Sequence, residues 1–439
     1  MFKRIPRSTL LFIAGSLVVF LVGQALFSLN VLSQFWNTIV RLGAVMAIMS
    51  LGLNLIYGFN GQFSLGQYAF YAIGAYAAAD ITYRWNIDQS MLGLMVLLLA
   101  TVSSGASILV LRRLLSRVRG LDALSAFTVY LVASIILTIL SAMVGKVITP
   151  AVSGVFAALP EGLSMQIVFI MAVLVAGLLA AEISFLIGLP VLTLGSDYFG
   201  IATLGLTIIV KVLLDNSDTM FGLTEMKGAR GMIGIPQLSS WFWIFIFLFL
   251  TVLVVRNLLQ SSYGRAIISV REDEIAAKAM GIDVAEYKNI AFVLGSFFAG
   301  IAGALYAHIN GFLSPDTFNF VQSFNPMIII VMGGLGSITG TVAASFAWAL
   351  VLEGFLRLLL PQGFETWRFV FYPILLLLIM LLRPKGLIGD YEIPFLRQIL
   401  PALKPKATSS EEGSGSPGPL RASANLGTGE SPKPSEASK

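Results

Sequence analysis

The sequence predicts an all-α integral membrane protein with about ten transmembrane helices, glycine-broken half-helices in two repeat-like halves, and a disordered C-terminal tail. Three observations predict it. Hydrophobic residues make up 57% of the 439-residue chain and charged residues only 12%, where a soluble domain carries about 25% charged. The apolar residues fall in runs long enough to cross a bilayer, separated by short polar or basic stretches. From about Lys404 the composition turns to Ser, Pro, Gly, Glu and Lys, which cannot bury a core. Residues 1–402 are therefore assigned to a membrane domain and 403–439 to the tail. The chain has no cysteine, which excludes disulfides, iron–sulfur clusters and thiolate metal sites. Its single histidine, His308, rules out a His-rich metal site and reads as a packing or hydrogen-bonding residue near a helix end.

The basic start MFKRIPR leads into an apolar span from Thr9 to Phe27. A signal peptide is the alternative, with Gly23-Gln24-Ala25 as a loose cleavage pattern. The run exceeds the roughly 7–15 apolar residues of such a segment, which favours an uncleaved anchor with its N-terminus inside. A second span, Thr38 to Tyr57, runs into GFNGQFSLGQ, where Gly58, Gly61 and Gly66 interleave with Asn60, Gln62 and Ser64. Irregular backbone at membrane depth is tolerated only where protein buries it or where it lines a cavity. An ordinary cytoplasmic turn fits the same residues.

Met91 to Leu111 is the next span, closed by Arg112, Arg113, Arg117 and Arg119, and Leu124 to Val144 returns. Arginine clusters of this kind mark the cytoplasmic side. Met165 to Leu189 follows, then PVLTLGSDYFGIATLGLTIIV, in which Asp197 is placed to cap a helix at Tyr198. Glu182 and Lys211 lie inside spans; such residues are functional by default, and pairing within the bundle explains them equally well. A polar loop from Asp215 to Ser240 ends in GARGMIGIP and precedes WFWIFIFLFLTVLVV.

A polar interlude, GRAIISVREDEIAAKAMGIDVAEYKN, runs from Gly264 to Asn289 between two spans. Its charges, from Arg265 and Arg271 to Lys288, cannot lie in hydrocarbon, where each costs about 2.5–3.5 kcal/mol. Glu272, Asp273 and Glu274 suit the positive end of a helix starting there, and Glu274 and Lys278 pair four apart. Ile275, Ala276, Ala279 and Met280 fall on one face, and Gly281 is placed to end the helix. The expectation is one short amphipathic helix from Arg271 to Gly281, its apolar face turned to the cytoplasm. A solvated loop with incidental helical pattern fits these residues as well.

After the interlude, Ala291, Gly295, Ala299, Gly303 and Ala307 form an every-fourth stripe of small residues suited to close helix packing. Asn325 to Val331 is too short to span and meets a second break, MGGLGSITG, with Gly333, Gly334, Gly336 and Ser337. Helix resumes from Thr341 to Phe355. The glycine run is not a nucleotide loop, since no Lys-Ser/Thr follows it. Two such breaks in separate halves suggest a duplicated fold with its pathway at the repeat interface. Trp367 to Leu382 is the last span, ended by Arg383-Pro384-Lys385-Gly386-Leu387. With both termini inside, fourteen of the 28 basic residues fall in cytoplasmic loops, six follow the closing RPKGL, seven fall at or near the outer side, and Lys211 lies inside a span. That satisfies the positive-inside rule.

The run Glu274-Ile275-Ala276-Ala277 followed by Gly281 resembles the EAA-type loop of ATP-binding-cassette importer permeases. GRAIISVREDEIAAKAMGI and GLNLIYGFNGQFSLGQYAFYAIGAY are similar to signatures of the branched-chain amino acid (LIV-type) permease family. Leu194 to Gly205, GARGMIGIP and the closing RPKGL are family-like too, while Glu225-Met226-Lys227 departs from the glycine-rich lead-in of that family. The pair of helices spanning about 91–144 is extra relative to its shorter members. The resemblance implies a cell-membrane permease subunit of an importer for branched-chain or other hydrophobic, neutral amino acids, and no enzyme. A urea or short-chain amide permease has nearly the same signature, and a secondary transporter is the rival from another class. It also implies that Arg265, Arg271, Glu272, Asp273, Glu274, Ala276, Ala277 and Gly281 couple to an ATPase. The two glycine breaks, from Gly58 to Gly66 and from Gly333 to Ser337, then line the translocation pathway. The implied partners are a second permease subunit, two cytoplasmic ATPases, an extracytoplasmic solute-binding protein and lipid, with no nucleic acid. The chain lacks GxxxxGK[ST], so ATP and Mg belong to the partner subunits and this chain binds no cofactor.

Overall fold

A computed structural model describes residues 7–29, 33–115, 123–192, 196–221 and 225–359, with isolated positions between 374 and 393. Lys3, Arg4, Arg117, Arg119, most of the last predicted span and the 403–439 tail lie outside the described residues, as do the side chains of Arg112, Arg113 and Asp197. Among the described residues the regular structure is helical, α with short π and 3-10 turns, apart from one two-residue ladder. Eight of the described helices are long and apolar enough to cross a membrane, and the shorter apolar stretches Leu92–Ile108 and Phe320–Gly333 accompany them.

In chain order, α1 (Arg7–Ser28) packs on the later helix Trp241–Gln260 through rings such as Phe27 and Trp241, 5.2 Å apart. α2 (Gln34–Leu53) continues into a π-helical turn, Asn54–Phe59. After the first break come α3 (Gln67–Asp88), α4 (Leu92–Leu115) and α5 (Ala123–Ala157), the last extending well past the predicted span. Then follow α6 (Glu161–Val191), α7 (Ser196–Asp215), the short α8 (Ser217–Phe221) and α9 (Trp241–Gln260). The interlude holds α10 (Ser262–Glu272) and α11 (Glu274–Ala279), and α12 (Val284–Asn310) leaves it. α13 (Phe324–Gly333) and α14 (Ile338–Trp348) flank the second break, and a π-helical turn, Ala349–Phe355, joins α14 to α15 (Leu356–Leu359).

The centre is α12, packed against α2, α3 and α6. Its small-residue stripe explains the proximity. A Cβ on Gly303 would fall within 1.9 Å of the Tyr71 carbonyl oxygen, so α3 can reach that distance only against glycine. His308, fully buried on α12, meets the Ala304 carbonyl through Nδ1 at 2.6 Å and the Thr82 hydroxyl through Nε2 at 2.8 Å. It is a packing and hydrogen-bonding residue, as its place in the sequence suggests.

Glu182 and Lys211, singled out inside spans, both have partners within the bundle. Ser104 on α4 donates to the Glu182 carboxylate on α6, which ties the additional helix pair to the bundle. Lys211 lies 2.8 Å from Asp215 and 3.1 Å from Asp316.

The loop before α9 differs from the plain polar connection expected. β1 (Met232–Ile233) pairs antiparallel with β2 (Phe312–Leu313), which follows α12. Glu225, in the segment that departs from the expected lead-in, pairs with Arg84 at 3.3 Å.

Candidate functional site

The interlude is two helices rather than one. Asp273 has extended backbone and its carboxylate accepts from the amides of Ile275 and Ala276, both at 2.9 Å. An Asp in that role caps a new helix and ends the preceding one, so Arg271 and Glu272 close α10 instead of opening the short helix. Gly281 turns the chain at φ +82°, and Asp283 caps α12 by accepting from Glu286 at 3.2 Å.

A second correction concerns Ala277, expected on the face offered to a partner. It is buried and packs with Val270 and Val284 against the rest of its own chain. The outward face carries the four residues expected on it, Ile275 and Met280, each 82% exposed, with Ala276 and Ala279 exposed beside them. Lys288 reaches Glu274 at 2.7 Å and Lys278 reaches it at 3.4 Å, pinning α11 to the root of α12. The Lys288 hydrogen bond in particular holds the Glu274 carboxyl below its usual pKa. Arg265 is exposed and donates to the Gln260 carbonyl at 3.1 Å.

Arg271 points the other way, into the bundle. Its guanidinium donates to the carbonyl of Gly58. A Cβ on Gly61 would meet its side chain at 3.2 Å, and one on Gly336 would meet its Nη1 at 3.1 Å. One side chain from the interlude thus touches both breaks.

Asn54, in the π-helical turn, ties the breaks directly to each other. Its amide donates to the Ser337 carbonyl and the Thr341 hydroxyl and accepts from the Gly336 amide, each at 2.9 Å. Around the first break, Asn60 donates to Gln62 at 2.8 Å, Gly66 donates to Ser64 at 3.3 Å, and Leu65 donates to Thr203 of α7 at 3.1 Å. Gly61 stands at φ +78°, and Gly334 and Gly336 at +111° and +81°, conformations that a Cβ disfavours. Gly333 belongs to the end of α13 and packs on Gly340, away from Arg271. At the start of α14, the Glu392 carboxylate accepts from the Ile338 amide at 2.7 Å, where a helix end favours an anion.

Of the residues singled out from the sequence, Gly58, Gly61, Gly336 and Arg271 come together. Asn60, Gln62 and Ser64 lie buried in the first break, whereas Arg265, Glu272, Asp273 and Ala276 stay at the interlude surface. Asn54, Thr203 and Glu392 were not singled out. Asn54 carried a signal, since an amide four residues before a glycine–asparagine break inside an apolar span needs partners.

A helical bundle with two broken membrane segments meeting a polar helix pair defines a multi-pass membrane protein of the permease class. Residues 36–154 and 123–380 match the family described as branched-chain amino acid transport system / permease component, and the chain belongs to that family. The two matches overlap within α5, in the additional helix pair. The chain is 29% identical over 406 residues to the high-affinity branched-chain amino acid transport system permease protein LivM of Escherichia coli K12, covering 84% of this chain and 75% of that one. It is 26% identical over 259 residues to the probable LivM of Methanocaldococcus jannaschii, covering 54% and 72%. A shorter match, 28% over 134 residues, joins it to the permease protein LivH of E. coli K12, covering 30% and 42%. No solved structure matches the chain.

Proposed function

We propose that this chain is one of two permease subunits of an ATP-driven importer for branched-chain or other hydrophobic, neutral amino acids. It forms half of the translocation pathway and takes the force for opening from separate cytoplasmic ATPase subunits. An extracytoplasmic protein delivers the solute, and both termini lie in the cytoplasm. The similarity to LivM supports the solute class, and the separate match to LivH supports a paired permease. One observation supports coupling above all others. The interlude offers an unpartnered apolar face at Ile275 and Met280 while its Arg271 holds the two breaks. Movement of α10 and α11 by a partner therefore acts on both breaks through one side chain.

Docking and transmission separate by mutation. Met280→Glu puts a charge on the outward face without touching the core, so the permease should insert normally and lose its ATPases. Arg271→Ala should keep the ATPases bound while hydrolysis no longer drives uptake. Co-purification of the ATPases and amino acid uptake into proteoliposomes give the readout. Normal uptake by both variants would refute the coupling role.

A further inference from the structure

A helix leaves its first backbone amides without acceptors of its own. At the start of α14 these belong to Ser337, Ile338, Thr339 and Gly340. Two are answered inside the second break, Ser337 donating to the Gly334 carbonyl at 3.1 Å and Gly340 to the Ser337 hydroxyl at 2.9 Å. The other two are answered from far along the chain. Ile338 and Thr339 donate to the two oxygens of Glu392, at 2.7 and 3.3 Å, from 54 and 53 residues away. The Thr339 hydroxyl donates to the same carboxylate at 2.5 Å and accepts from the Ile393 amide at 3.3 Å. Three donors and the positive end of α14 thus stabilise a carboxylate that is only 4% exposed.

Gly386 makes a second contact. Its backbone turns at φ +84°, and a Cβ there would lie 2.6 Å from the Gly334 nitrogen and 2.7 Å from the Gly334 Cα. Two glycines at positive φ therefore meet backbone to backbone, an approach closed to any larger residue. The two contacts bracket the break, with Gly386 on Gly334 at its start and Glu392 on Ile338 and Thr339 at its end. Arg271 and Asn54 reach Gly336 and Ser337 between them. Gly386 and Glu392 both lie past residue 380, where the family match ends.

We propose that the chain beyond the last predicted span is a clasp on the second break, with Glu392 as its positioning residue, and that the interlude drives the breaks only while this clasp is closed. A displacement delivered by Arg271 at Gly336 passes into α14 only if the stretch from Gly334 to Thr339 moves as one body. Gly386 and Glu392 hold its two ends, and without them it yields locally. This assignment rests on the coupling reading and adds to it a third point of hold, after Arg271 and Asn54.

Glu392→Gln keeps the size of the side chain and removes its charge. In proteoliposomes holding the intact transporter, the ATPases should stay bound and active while L-leucine uptake per ATP hydrolysed falls about fivefold or more, the scale of an ordinary coupling between sites. Amide exchange at Ile338 and Thr339 should quicken about tenfold, as for loss of one charge-assisted bond. A cap that merely stabilises α14 would give the same exchange result, so a second variant separates the two roles. Thr339→Asp in the Glu392→Gln background returns a carboxylate to the first turn of α14 from within the helix itself. It should slow exchange again yet leave uptake low, because the distant segment stays unhooked. Wild-type uptake per ATP in Glu392→Gln, or its recovery in the double variant, would overturn the clasp. Full uptake by Arg271→Ala would instead remove the coupling reading beneath it.

Discussion

At the first break the chain leaves a π-helical turn at Phe59 and runs irregularly through Gly66 before α3 begins. At the second it turns within Gly334-Leu335-Gly336, and Ser337 at once caps α14 by accepting from Gly340 at 2.9 Å. Their polar groups differ in the same sense. The Asn60 carbonyl oxygen and both ends of the Gln67 amide are buried without a partner beside the first break. Ser337, Thr341 and Glu392 at the second are all engaged. Two segments of similar composition therefore do different work. The second is fastened by hydrogen bonds throughout, and the first keeps buried polar groups without a partner. Buried polar groups that are fully satisfied rigidify their surroundings, and partly satisfied ones do not.

The largest expected effect comes from adding bulk at each break in turn. A Cβ on Gly333 would lie 2.3 Å from the Gly340 carbonyl oxygen, a backbone atom, whereas one on Gly61 would come no closer than 3.2 Å, to the Arg271 side chain, with the Arg271 Cα at 3.5 Å. Gly333→Val should cost about 3 kcal/mol or more and abolish monodisperse protein after solubilisation. Gly61→Ala should fold, losing about 1–2 kcal/mol for its left-handed backbone. Size-exclusion profiles and melting temperatures measure both, and equal losses would erase the distinction between the two breaks.

A smaller loss is expected where the breaks are joined. Asn54→Ala leaves the Gly336 amide and the Ser337 carbonyl short of their partner, which costs about 2–4 kcal/mol. Amide hydrogen exchange should quicken at 336–341 and stay unchanged at 61–66. Faster exchange at both would mean that the second break also positions the first.

The smallest effect belongs to the first break alone. Thr203→Val removes the acceptor of the Leu65 amide and should cost about 1 kcal/mol, with faster exchange at Leu65 and none at the second break. An unchanged Leu65 would show that α7 does not hold this segment.

Much of this fold was legible because it follows from composition and from glycine. Apolar runs mark spans, and the two polar glycine interruptions mark the breaks. The interlude was legible in outline. Its division was not, since Asp273 can serve a helix's first turn or cap a new one, and only the backbone settles which. Ala277 was misjudged for a related reason. Alanine fits an inward or an outward face, and the choice is made by Val270 and Val284, on neighbouring segments. The contacts of Arg271 with Gly58 and of Lys211 with Asp316 join positions far apart in the chain, where spacing carries no signal.

The ladder between β1 and β2 has a mechanical consequence. α9 and α12 flank the interlude, and at their opposite ends Met232 and Ile233 bond to Leu313 and Phe312. The following loop is stitched to α12 as well, with Ser239 donating to the Leu305 carbonyl at 2.7 Å. The two helices thus form a frame closed at both ends. Separating α9 from α12 would therefore mean breaking backbone bonds at one end as well as bending the interlude at the other, so the pair resists splaying more than two helices joined by a single loop.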